Sequence, residues 1–155
     1  MTATTHLQSS QPPYVELLPL KDGETYDSAL AAPPAFVVKV FHGRKCRTKS
    51  GLLGEFSRVL DFPSYFAKNW DAFMDCLTDL QWLPAPGYVF VILDAEEVLI
   101  EHEHEYAIFI DILNEAGRVW GTEQDVRPAI PFHVLLVVAE RNKNKRKWGV
   151  PLFRT

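Results

Sequence analysis

Residues 62–80 read FPSYFAKNWDAFMDCLTDL, and this stretch predicts a helix over residues 68–80 that follows a proline-containing loop. On a helical wheel of about 100° per residue, one side carries Asn69, Trp70, Phe73, Met74, Leu77 and Leu80. The other side carries Asp71, Asp75, Thr78 and Asp79. Like charges four residues apart repel by about 0.2–0.5 kcal/mol on an exposed helix. A solvated acidic face is the plain interpretation, and a rigid row of carboxylates that docks into a cationic groove is the functional one.

Three other stretches are short, β-rich and almost entirely apolar: FVVKVF (36–41), YVFVILD (88–94) and FHVLLVV (132–138). Strands of this composition are typical of sheets that are covered on both faces. Because helical segments separate them along the chain, they predict a small layered α/β domain. We expect its sheet to be mostly parallel and three-stranded.

Two more helices are predicted between these strands. Ser50 would cap the first, which ends before Pro63 because proline disfavours helical geometry in the residue before it. The second covers residues 106–120 and ends at Gly121, a common residue after a helix C-terminus. Its predicted buried side carries Ile108, Ile112, Leu113 and Ala116.

The net charge of −4 hides an uneven distribution along the 155 residues. Twelve carboxylates face only Lys68 between Asp61 and Glu115, whereas six basic residues and no acidic ones follow Glu140. An acidic body of this kind repels phosphate, so it argues against direct binding of nucleic acid and favours a cationic partner or simple solubility. We expect the basic tail, residues 140–155, to be a frayed and solvated terminus, with folding back on the acidic body as the alternative.

The first 35 residues form an N-terminal extension. Residues 1–13 are polar and predict a disordered lead, and the remainder is either an accessory strand with a turn at residues 21–24 or a loosely attached arm. The chain shows neither a secretory signal nor a transmembrane run. Cys46 and Cys76 fit no CxxC motif. We expect the thiol of Cys46 to be exposed, and its basic neighbours would then lower its pKa. Cys76 is expected to be a small buried side chain. These features predict a reduced, cytoplasmic domain.

The 62–80 stretch also carries a family resemblance. Its pattern F-P-x-Y-F-x-x-N-W-D-A-F-x-D-C-L-T-D-L closely resembles the signature of barstar-type ribonuclease inhibitors. The V-V-K-V-F-H-G segment, L-N-E-A at 113–116 and the FHVLLVV strand extend the resemblance over residues 36–139. It implies a three-layer α/β/α fold and an inhibitor rather than an enzyme. Such an inhibitor plugs the active site of a basic, barnase-like ribonuclease and protects the cell that makes it.

The resemblance also implies which residues meet the partner. Tyr65 matches a loop tyrosine that stacks in the nuclease cleft, and Asp75 matches the aspartate that occupies the phosphate subsite. The other implied contacts are Asn69, Asp71, Thr78 and Glu115. We add Trp70, which could be core or rim, and Asp79 from the same helix to the candidate surface.

Two other functions are considered beside inhibition. The fold could serve as a non-catalytic binding or scaffold protein for another cationic partner. A metal site at His102 and His104 is the other hypothesis, but residues two apart diverge on a helix and H-E-H-E-Y is not a zinc motif. We therefore expect no catalytic residue, no metal, no cofactor and no membrane partner, and a monomer rather than an oligomer.

Overall fold

The computed structural model describes residues 6–154. Four strands form one sheet in the order β1-β4-β3-β2, and every neighbouring pair is parallel. Their bounds are β1 Val15–Leu20, β2 Val37–His42, β3 Tyr88–Leu93 and β4 Phe132–Ala139. The helices are α1 Tyr26–Leu30, α2 Lys49–Leu60, α3 Trp70–Asp79 and α4 Tyr106–Trp120. The α/β class and the parallel sheet are confirmed.

The predicted number of strands is wrong, because the N-terminal extension supplies a fourth. Residues 15–20 pair with β4 along the whole strand, from Val15 opposite Val134 to Leu20 opposite Ala139. Pro19 is tolerated there because β1 lies at the edge of the sheet, where a missing backbone donor is harmless. The accessory strand is thus the correct alternative, and the predicted turn follows it, with the Glu24 amide donating to the Lys21 carbonyl at 3.0 Å.

The three long helices α2, α3 and α4 cover one face of the sheet. Aromatic rings form the centre of this layer: Phe56 of α2 stacks on Phe41 of β2 with ring centroids 4.0 Å apart. The same ring meets Phe73 of α3 edge-on at 5.1 Å and Phe109 of α4 at 5.8 Å. Each of these four rings has no solvent exposure. The cluster fixes all three helices against the sheet, and such aromatic pairs contribute about 0.5–1.5 kcal/mol beyond area burial.

The terminal segments and the five-residue helix α1 cover the other face, in the place of the expected third layer. Its apolar cluster comprises Leu7, Leu18, Leu30, Val89, Val91, Leu135, Val137 and Phe153. Residues 1–5 of the predicted disordered lead lie outside the described residues. The rest of that lead is ordered against the sheet, because Leu7 is completely buried there.

The basic tail is packed, so the prediction of a frayed terminus is wrong and the fold-back alternative is correct. The Tyr106 hydroxyl donates to the Trp148 carbonyl at 2.8 Å, and the Arg146 guanidinium lies 4.0 Å from the centroid of the Tyr106 ring. Beyond it, the Leu17 amide of β1 donates to the Pro151 carbonyl at 2.8 Å. The aromatic side chains Trp148 and Phe153 are buried, which explains why the charged residues that flank them do not keep the tail in solvent.

Several local predictions also need correction. Thr48 rather than Ser50 caps α2, because its hydroxyl accepts a hydrogen bond from the Gly51 amide at 3.0 Å. Strand β2 lies at an edge and is not covered on both faces, and Val38 is exposed. Ile108 is exposed on α4, whereas Leu113 and the rest of the buried side face the core. Within residues 6–154, no helix combines the length and apolar character needed to cross a membrane.

Candidate protein-binding surface

Helix α3 is held rigidly at several points. Its N-terminal residue Trp70 follows the cap Asn69, whose side-chain oxygen accepts a hydrogen bond from the Ala72 amide at 2.8 Å. Near the other end, the Trp120 indole of α4 donates to the Leu77 carbonyl at 2.8 Å. Phe73 occupies the aromatic cluster between these points. The backbone of α3 is therefore fixed by contacts along its length, as a surface that docks without rearrangement requires.

The solvent side of α3 is an acidic face made by Asp71, Asp75 and Asp79. All three side chains are exposed. Among residues 6–154, none of the three carboxylates forms an ion pair or accepts a side-chain hydrogen bond. Because a helix rises about 1.5 Å per residue, they form a row about 12 Å long. The acidic face is thus a fixed array of free hydrogen-bond acceptors.

Many of the other carboxylates in the acidic body are already neutralised. Arg47 bridges Glu97 and Glu101, and its contact with Glu101 measures 3.1 Å. Arg44 lies 3.3 Å from Asp94. Each arginine precedes its carboxylate partner by about 50 residues in the chain, so the sequence alone does not reveal the pairing. The negative charge that remains free is consequently concentrated on the acidic face more strongly than the composition indicates.

Glu115, the predicted contact on α4, has an internal cation, unlike the three aspartates of the acidic face. Its carboxylate accepts hydrogen bonds from Arg118 one turn later, including one from Nε at 2.9 Å. This pairing lowers the pKa of Glu115 below its ordinary value. Any cation on a partner would therefore share Glu115 with Arg118, which makes it a weaker candidate contact than Asp75.

The loop before α3 presents an exposed aromatic ring. The ring of Phe66 packs edge-on against Phe62 with centroids 4.9 Å apart, and the Phe66 amide donates to the Pro63 carbonyl at 2.9 Å. Tyr65, between these anchors, is 75% exposed. A fixed loop with a projecting tyrosine is a suitable binding element, since a tyrosine buries large area at low entropic cost.

Trp70 and Thr78 have internal partners that limit what they can offer. The Trp70 indole donates to Glu105 at 2.6 Å, and its ring packs beside Phe73 and Phe109, so this side chain belongs to the rim of the core. The Thr78 hydroxyl donates to the Met74 carbonyl at 2.9 Å. Because its proton is used internally, Thr78 can only accept a hydrogen bond from a partner.

Sequence reasoning missed the role of Glu105, which lies in the H-E-H-E segment considered above as a metal site. Its carboxylate fixes the Trp70 indole instead. In the same segment, Nδ1 of His102 accepts a hydrogen bond from the Lys49 amide at 3.2 Å, which uses one of its two ring nitrogens. No sequence signal indicated either long-range contact.

The prediction for Cys46 is wrong, and the prediction for Cys76 is confirmed. Cys46 is completely buried, and burial raises the pKa of its thiol to about 12, so the expectation of an exposed, basic-flanked thiol is wrong. Cys76 is buried as predicted, and burial raises the pKa of its thiol, with the carboxylates of Asp79 and Asp75 adding to the shift. Neither thiol is poised to be a nucleophile.

Fold and surface together define a small α/β protein that presents a rigid acidic helix beside an exposed tyrosine loop. A family model described as Barstar (barnase inhibitor) matches residues 36–137. Since the match covers more than half of the chain, the protein belongs to the barstar family, a family of inhibitors rather than enzymes. A search among curated proteins found no significant match.

Proposed function

We propose that this protein inhibits a basic, barnase-like ribonuclease by plugging its active site with α3 and the Tyr65 loop. One observation carries the proposal most strongly: Asp71, Asp75 and Asp79 are exposed, rigidly held and unpaired, whereas many of the other carboxylates in the acidic body have internal cations. Carboxylates that are rigidly held and unpaired keep their full hydrogen-bonding capacity for the cations of a partner.

The chemistry of inhibition follows from the substrate that a ribonuclease binds. Its cleft directs several cations at the phosphate of the RNA. The same cations can form charge-assisted hydrogen bonds with a carboxylate. Asp75, in the middle of the row, would occupy the phosphate position, and its neighbours one turn away would meet cations at the sides of the cleft. A carboxylate supplies no bond that the enzyme can cleave, so the cleft is blocked.

Three other side chains would complete the contact. Tyr65 would stack on the cleft from the loop, and the free amide group of Asn69 would donate at the start of the helix. Glu115 would contribute from α4 while it shares its charge with Arg118. The free charge of the acidic face would speed encounter with a basic enzyme, and added salt would reduce that gain.

The direct test is a titration of RNA cleavage. A basic microbial ribonuclease of the barnase type is assayed on a fluorogenic RNA while the full chain is added. The proposal predicts loss of cleavage at one equivalent of inhibitor. For Asp75→Ala we expect a rise in Kd of about 30-fold to several thousand-fold, because truncation of one partner of a buried charge pair costs about 2–5 kcal/mol.

Asp22→Ala is the matched control. Asp22 is exposed in the turn between β1 and α1, and α1 covers the sheet face opposite α3, so this variant removes the same charge far from the acidic face. It should inhibit as wild type does. If a panel of basic ribonucleases stays fully active at excess inhibitor, the proposed function is wrong, and a cationic partner other than a nuclease becomes the better explanation.

The biological role proposed with this activity is that of a cytoplasmic immunity or antitoxin protein, which protects the cell that makes the nuclease. The described structure is compatible with this role, because both thiols are unpaired. Expression of a basic ribonuclease with and without this protein tests it: co-expression of wild type should restore growth, and co-expression of Asp75→Ala should restore it less well.

A further inference from the structure

A second cluster of polar side chains lies on the opposite face of the sheet, away from the acidic face. His6 of the N-terminal segment, Glu16 of β1 and His133 of β4 each bring one nitrogen or oxygen within 4.8 Å of the others. Nε2 of His6 lies 2.7 Å from Oε1 of Glu16. Glu16 is 4% exposed and His133 is fully buried, so two of the three groups are inside the protein. Buried groups of this kind are costly unless they are fully partnered.

The partners of His133 are incomplete. Its Nε2 lies 2.7 Å from the Ser9 carbonyl oxygen, which only accepts, so this nitrogen carries the proton. Among the residues that the structure describes, Nδ1 of His133 is buried without a hydrogen-bond partner. His133 therefore has hydrogen-bonding capacity that the described residues leave unused, and a buried unpartnered nitrogen in a native protein calls for an explanation.

The donor set has a clear chemical preference. Two imidazoles and one carboxylate are ligands that zinc uses in sites with three protein ligands and an open position, at about 2.0–2.2 Å. Donor atoms around such an ion lie about 3.3 Å apart, so the present separations of 2.7–4.8 Å need a small adjustment. A change of the His6 side-chain rotamer can provide it, because this side chain is only partly buried.

We propose that His6, Glu16 and His133 bind one divalent transition-metal ion of the zinc class, which clamps the N-terminal segment onto the sheet. The ion would join the N-terminal segment that carries His6 to both β1 and β4, the strands that carry Glu16 and His133. Because this site and the acidic face lie on opposite faces of the sheet, inhibition of a ribonuclease should not depend on the metal. Either proposal can therefore fail without the other.

The test uses the full chain without a polyhistidine tag. Zinc is titrated by calorimetry, and Co²⁺ is added separately to detect tetrahedral coordination by visible absorption. The proposal predicts one ion per chain. It also predicts a rise in the unfolding temperature of about 5–10 °C when free zinc is about 100 times its Kd. Mg²⁺ should have no effect, because it prefers oxygen ligands.

Two variants and one control locate the site. His6→Ala should weaken zinc binding by more than about 100-fold, since loss of a second-shell partner alone costs about 10–100-fold. Glu16→Gln, of the same size as Glu16, should weaken it as well and serves if His6→Ala does not fold by circular dichroism. His104→Ala removes a histidine whose side chain is 79% exposed, and this variant should bind as wild type does. No binding by wild type, or equal binding by the first two variants, would overturn the proposal.

Discussion

Asn69 provides a test that separates the stability of α3 from its recognition of a partner. Its side-chain oxygen accepts from the Ala72 amide at 2.8 Å, and its extended backbone is that of a helix N-cap. The same residue is expected to donate to the nuclease through its amide nitrogen. Asn69→Ala removes both functions, whereas Asn69→Asp keeps the capping oxygen and replaces the amide donor with a charged oxygen.

The expected changes in the free energy of unfolding follow from the capping geometry. Loss of an N-cap costs about 1 kcal/mol, within about 0.5–2 kcal/mol. For a protein of this size, 1 kcal/mol corresponds to a fall of about 2–4 °C in the unfolding temperature. Asn69→Asp should stay within about 0.3 kcal/mol of wild type, because Asp caps as well as Asn and its charge is favourable at a helix N-terminus.

Urea unfolding followed by circular dichroism gives the free energies of unfolding, and calorimetry with the ribonuclease gives the Kd. We expect Asn69→Ala to lose stability and affinity, and Asn69→Asp to keep stability while it loses the contribution of the amide donor. If Asn69→Ala unfolds at the wild-type urea concentration, or if Asn69→Asp is equally destabilised, the capping assignment is refuted.

Three further predictions concern the rest of the molecule. Cys46 and Cys76 should resist a thiol reagent at pH 8 in the native protein and react in denaturant, because both are buried; reaction of the native protein would contradict their burial. Burial alone would raise the pKa of Glu55, but hydrogen bonds from the His42 amide and Arg58 lower it overall. Stability should therefore fall as pH drops below the ordinary value of 4.5, and Glu55→Gln should remove this part of the pH dependence in acid unfolding curves. Trp148→Ala should cost about 3–5 kcal/mol in urea unfolding, whereas Leu152→Ala, at a position 58% exposed, should cost less than about 0.5 kcal/mol.

The sequence predicts the central strands and the helices well because their patterns are local. Residues 106–120 form the predicted helix, and the apolar runs before and after it form β3 and β4. Strand β1 was ambiguous because Glu16 and Pro19 interrupt its apolar pattern, and its partners are β4, the tail and His6, all far from it in the sequence or outside its local pattern. The packed tail was missed because its charge outweighed the signal from Trp148 and Phe153.

The sequence predicts which residues form the candidate surface, but it does not predict which carboxylates remain without a counter-ion. Helical spacing places Asp71, Asp75 and Asp79 on the solvent side, as the structure does. Which carboxylates remain unpaired depends on contacts between residues far apart in the chain, such as that between Arg47 and Glu101. Such pairing arises from the tertiary fold, and a single sequence carries no record of it.

Competition with an active-site ligand tests most directly whether the acidic face occupies the phosphate subsite. The Kd of the complex is measured by calorimetry with and without a mononucleotide that fills the active site of the nuclease. At ten times the Kd of the nucleotide, the apparent Kd of wild type should rise about tenfold, because the two ligands exclude each other. An apparent Kd that is unchanged by the nucleotide would show that α3 binds elsewhere, and the proposed mechanism would be wrong.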